Sequence, residues 1–117
     1  MREVKKYFLK ILKIELADLE EDLELLIQEC DQARGKKKIT EHVWQGNRTL
    51  YENEKLGVRE FRKLIQTIRP KTFESLDEMI AALKSRFQTF VKEHGLAEAI
   101  MVCVNRKMDK VERYVTQ

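Results

Sequence analysis

Side chains able to do chemistry are sparse in this chain. Among 117 residues there are two histidines, His42 and His94, and two cysteines, Cys30 and Cys103. None sits at a spacing that joins a nucleophile to a base, and no Gly-rich loop is present to cradle a phosphate. No catalytic residue is therefore assigned. One polar set does stand out. The inward spacing of the second helix takes Tyr51, Val58, Phe61, Ile65 and Ile68, and with them Asn47 and Glu54. His94 falls on the inward line of the third helix with Leu83, Phe87 and Phe90. A carboxylate buried without a partner is costly, so Glu54 is expected to be hydrogen-bonded or shifted in pKa, with His94 as its neighbour. A buried cluster of Asn47, Glu54 and His94 would fix helix register, as a single polar core residue does in coiled coils. The same residue types, with Cys103, are also ligand types for a metal or small molecule. Metal-binding bundles, however, use several Glu and a Glu-x-x-His pair, which is missing here. No metal and no cofactor is expected.

Positive charge forms a second pattern. In a bundle whose helices alternate in direction, the N-terminus, the turn after the second helix and the C-terminus share one end. That end gathers Arg2, Lys5, Lys6, Arg62, Arg69, Lys71, Arg106 and Lys110. The helix macrodipole by itself favours basic residues in last turns. A functional pole of this kind would meet phosphates or an acidic protein, with steep salt dependence in the nucleic-acid case. No nucleic-acid-binding motif accompanies it, so nucleic acid is the secondary expectation.

Helices must position these groups. Charged residues make up 37% of the chain, with only 4 Gly and 1 Pro, a mix that leans towards helical packing. Leu9, Leu12, Leu16, Leu19, Leu23, Leu26, Cys30 and Ala33 recur at spacings of three and four, the stripe of a long amphipathic helix. That helix is expected to run from Arg2 to Ala33 and to stop at Arg34-Gly35, with Gly35 in the left-handed C′ role. Thr40 caps a second helix, which turns Val43 and Leu50 inward and continues to Ile68 before Pro70 ends it. Ser75 and Glu78 form a capping box for a third helix from Leu76 to Glu93. His94-Gly95 separates it from a fourth, Leu96 to Val115. The expected fold is all-α, a single domain over residues 1–117: an antiparallel up-down-up-down four-helix bundle in which helices 1 and 2 are longer than helices 3 and 4. With the lower ends aligned, the longer pair projects by about 15 Å, and its tip carries Leu26, Cys30, Val43 and Trp44. A third or fourth helix running on through Gly95 would cancel that projection. No apolar run is long enough to span a bilayer and no signal peptide is recognised, so a cytoplasmic protein with no membrane role and reduced cysteines is expected.

The first helix has more apolar circumference than a bundle corner normally hides. Beside its main stripe lie Val4, Tyr7, Ile11, Ile14 and Leu25. Its charges are segregated too: basic residues dominate up to Lys13, and every charge from Glu15 to Asp31 is acidic, the reverse of what the macrodipole favours. Two copies laid antiparallel would set each basic half against the other's acidic half; the ordinary alternative is pairing with helix 2 or 4. These features predict a non-enzymatic protein that works by association, with a homodimer through the first helix as the default and an unidentified protein partner at the tip, anchored by Trp44. Ile14→Glu is then expected to weaken the dimer.

Overall fold

The computed structural model describes residues 3–117. It contains four α-helices: α1 (Val4–Gly35), α2 (Glu41–Gln66), α3 (Leu76–Glu93) and α4 (Ala99–Val115), with a short 3-10 turn, Pro70–Thr72, between α2 and α3. The expected all-α architecture is the one observed, and α1 and α2 are the longer pair.

Local chemistry sets the ends of the helices. Thr40 Oγ1 accepts from the Val43 amide at 3.2 Å, a side-chain N-cap. Ser75 Oγ accepts from the Glu78 amide at 3.1 Å, while the Glu78 carboxylate takes the Glu74 amide at 2.9 Å. The capping box is thus displaced by one residue on its return arm. Arg69, before Pro70, is extended, which stops α2. At the end of α3, Gly95 has φ +61, with the Leu96 amide bonded back to the Val91 carbonyl at 3.0 Å, a Schellman stop. The end of α1 differs from expectation. Gly35 stays helical, and the left-handed residue is Lys37, φ 58. Lys38 donates back to the Ala33 carbonyl at 2.9 Å and Lys37 to that of Arg34 at 3.0 Å. The same motif is built here on a side chain that pays a conformational penalty for it.

Cross-helix pairs trace the topology. Arg34 pairs with Glu41, Asp31 with Arg48, Glu24 with Lys55, and Glu20 with Arg59 and Arg62. Residue numbers fall along α1 as they rise along α2, so the two are antiparallel. Tyr7 beside Tyr114, and Glu15 beside Lys107 and Lys110, do the same for α1 and α4. Asp77 beside Glu112 and Lys84 beside Asp109 do so for α3 and α4. The core between them holds Phe8, Leu12, Leu16, Val58, Phe61, Met79, Leu83, Phe87, Val104 and Met108, with Phe61 and Phe87 ring centroids 4.7 Å apart.

This core stops before α1 and α2 do. Gly57 passes so close to the first turn of α4 that a Cβ there would stand 2.8 Å from Ile100 Cγ1. On α1 the continuous core ends at Leu23; Ile27 and Cys30 are buried but lie outside it. Residues 24–35 and 41–53 therefore extend past α3 and α4 as a two-helix projection about 17 Å long. The molecule measures 57 × 28 × 19 Å with a radius of gyration of 16.4 Å, against about 13 Å for a compact domain of this length. Among the described residues, no helix is long and apolar enough to cross a membrane.

Candidate interaction surface

Along the body, α2 buries Val58, Phe61 and Ile65 in the shared core, with Ile68 just beyond its end, and Phe61 meets Phe87 of α3. The same line of spacing passes Glu54, which is close to Cys103 of α4, and continues up the projection through Leu50, Asn47 and Val43, where there is no α3 or α4 to meet it. Val43 is 43% exposed and Leu50 41%. They do not face a core, contrary to the sequence expectation, because the covering helices end below them. Leu26 on α1 is 38% exposed, and Cys30 beside it is buried. The projection therefore presents an uncovered face that is apolar at Leu26, Val43 and Leu50 and polar at Asn47, with the half-buried Glu54 at its foot.

The buried polar cluster expected from the sequence is not assembled. No polar or charged residue is buried among the described residues. Asn47 is exposed on the projection. His94 is exposed as the C-cap of α3, its Nδ1 3.0 Å from the Phe90 carbonyl and its ring stacked on Phe90 at 4.0 Å. Its Nδ1 is satisfied locally at the helix end, and no hydrogen bond joins its ring to Glu54. Glu54 is half-buried with no hydrogen bond or ion pair among the described residues, and burial pushes its carboxyl pKa up. Burial, and then the charge of Glu54, raise the nearby Cys103 thiol. No group of three or more His, Cys, Asp or Glu among the described residues is placed to hold a metal ion. Sequence reasoning missed Asn105, whose buried Oδ1 has no hydrogen-bond partner. It lines a groove of about 810 Å³ between α3 and α4 with Val91, Leu96 and Met101; the signal was an amide directly beside the inward line of Val104 and Met108.

The proposed contact edge of α1 divides in two. Val4, Tyr7 and Ile11 are half-buried against this chain's own core. Tyr7 packs on Tyr114 of α4 with centroids 6.1 Å apart, and Ile11 lies beside Val111. The expectation that they lie free for a second molecule is corrected: α4 covers that side. Ile14 and Leu25 are exposed, at 54% and 55%, but as single side chains among charged neighbours. Four acids of α1, Glu15, Glu20, Glu24 and Asp31, likewise find partners within the chain. Hydrogen bonding from Lys110, then Lys107, holds Glu15 below the usual carboxylate range. Burial opposes ionisation at Glu20, yet Arg62 and then Arg59 outweigh it and lower its pKa. Lys55 does the same for Glu24, and Arg48 followed by Trp44 for Asp31. These pairs take four of the eight acids; Asp18, Glu21, Asp22 and Glu29 stay exposed on the outer face. Trp44 is also engaged: its Nε1 donates to Asp31 at 2.8 Å, and the Arg34 guanidinium lies 3.8 Å above its ring. It braces the tip instead of offering a free anchor.

The basic pole assembles in part, since Lys5 and Lys6 lie beside the turn that carries Arg69 and Lys71. Arg2 lies outside the described residues. Lys5 donates to the Phe73 carbonyl, Arg62 pairs with Glu20, and Lys110 pairs with Glu15. Lys6, Arg69, Lys71 and Arg106 are exposed, without an ion pair among the described residues. The structure also brings together Lys6, Lys10 and Lys13, along a depression of about 290 Å³ beside Ile65, Ile68 and Pro70. Comparison with family models, curated proteins and solved structures finds no match to this chain.

Proposed function

We propose that the protein acts by protein–protein association and not by catalysis, and that the uncovered face of the α1–α2 projection is its contact surface. The observation that carries this is the continuity of one stripe. The spacing that places Val58 and Phe61 in the core places Leu50 and Val43 in water, with Leu26 beside them on the neighbouring helix. Burying the remaining apolar area of these three side chains contributes on the order of a few kcal/mol, the scale of an interface centre. Ile14 and Leu25, as isolated exposed side chains, need no such explanation. A photo-crosslinking amino acid placed at position 50 in cells tests this directly. Defined adducts are expected at position 50 and not at position 14; a protein that is folded yet gives no adduct at position 50 contradicts the proposal.

A second function, accessory binding of nucleic acid, is favoured by the three lysines Lys6, Lys10 and Lys13, which share one face with no acidic partner. Its test is heparin retention at low salt, lost in Lys10→Glu/Lys13→Glu. Absence of retention in the unaltered protein removes it.

A further inference from the structure

We infer that the occupant of this face is a second copy of the chain, laid antiparallel so that the two projections pack face to face and each tip abuts the other copy's α3–α4 turn. This inference rests on the association proposed above and names the partner. Three features of the projection are complementary to itself.

The first is shape. The missing layer above α3 and α4 is two antiparallel helices about 17 Å long, and the projection is such a pair. Two copies related by a two-fold axis across the helices would set α1 on α1 and α2 on α2, restoring a four-helix cross-section along the whole assembly.

The second is Asn47. It stands midway between Glu41, where α2 begins, and Glu54, at the foot of the face. The two-fold axis therefore passes next to it, flanked by the apolar Val43 and Leu50. An amide both donates and accepts, so Asn47 can pair with its own image, and a single such pair in an apolar seam fixes register and orientation.

The third is charge. The tip carries Lys36, Lys37 and Lys38, exposed and without ion pairs among the described residues. The α3–α4 turn carries Glu93 and Glu98, exposed and without ion pairs, opposed only by Lys92. Glu54, also unpaired, stands at the foot of the face. The antiparallel arrangement brings the lysines of each copy to the carboxylates of the other, twice. A parallel arrangement would set lysines against lysines. Three partly exposed apolar side chains per copy make a small contact centre, and a dimer built on it is expected to exchange.

Sedimentation equilibrium on the full chain, from about 1 µM to about 1 mM, provides the test. The expected result is passage from the 14.0 kDa chain to a discrete species of twice that mass. Lys36→Glu/Lys37→Glu/Lys38→Glu should weaken the dimer about 10-fold or more, and adding Glu93→Lys/Glu98→Lys should restore it. All five positions are exposed, and circular dichroism checks that each variant stays folded. Restoration is the result a purely structural role for these residues would not give. A monomer at every concentration, with position 50 cross-linking to a different protein, overturns the second copy and leaves the association proposal standing. A monomer with no cross-link overturns both. A dimer indifferent to the charge exchange overturns the antiparallel arrangement.

Discussion

Glu54 shows what a single residue contributes and what its neighbours decide. Its carboxyl is held above its ordinary pKa by burial alone. A group whose pKa is raised on folding contributes stability that is fully present below its unfolded pKa and is lost as pH rises through the folded one. At neutral pH the free chain therefore carries a half-buried, unpaired charge. Glu54→Gln should raise the melting temperature of the dilute monomer at pH 7 and leave it unchanged near about pH 4, as followed by circular dichroism. In the antiparallel pair the same substitution removes a partner for the tip lysines and weakens association, the opposite sign. Glu15 and Glu20 work the other way. Their lowered pKa values give stability that is present above the ordinary carboxylate range and is lost as pH falls through the lowered values. A pKa departure at Glu54 was legible in the sequence; the identity of its neighbour was not. Height along a helix can be counted from residue numbers, but lateral distance cannot, and His94 turned out to cap its own helix. Lys37 is a second case at this scale. With φ 58 and no need of its side chain for folding, Lys37→Gly should stabilise the chain by about 1 kcal/mol in urea denaturation. The sequence pointed to Gly35 for this role, and the helix simply ran two residues further.

The elements were the most legible level, because their signals are local. Thr40, Ser75 with Glu78, Pro70 and Gly95 each act within four residues of their own position, and each does what its chemistry requires. The two glycines inside α2 could not be separated from sequence, since an isolated helical Gly weakens a helix whatever its surroundings. The structure separates them. Gly46 has open space where a Cβ would go, and Gly57 has Ile100 at 2.8 Å. Gly46→Ala should stabilise by about 0.5–1 kcal/mol. Gly57→Ala should destabilise by about 1–3 kcal/mol, because the buried Ile100 must move and the α2–α4 crossing with it. Urea titrations of the two variants, compared on one baseline, read opposite signs. Equal stabilisation in both would mean that the close crossing does not form.

At the scale of the molecule, fold class and the unequal helix lengths followed from periodicity and punctuation. The placement of α1's second apolar edge and of its acids did not, because both depend on which distant residue lies opposite. Tyr114, Lys107 and Arg62 are 107, 92 and 42 residues away from Tyr7, Glu15 and Glu20. With those partners taken by α4 and α2, Leu26, Val43 and Leu50 still stand exposed at the far end, on the projection. Two exposed apolar residues on α1 and α2 thus stand for two different assemblies: Ile14 for a contact along the outer face of α1, Leu50 for one on the projection. The decisive measurement is the concentration dependence of mass, by sedimentation equilibrium, for Leu50→Lys and Ile14→Glu side by side, both kept helical by circular dichroism. The predicted result is that Leu50→Lys weakens self-association by about 100-fold while Ile14→Glu associates as the unaltered chain does. Loss of association in Ile14→Glu with Leu50→Lys unaffected would contradict it and return the contact to the outer face of α1.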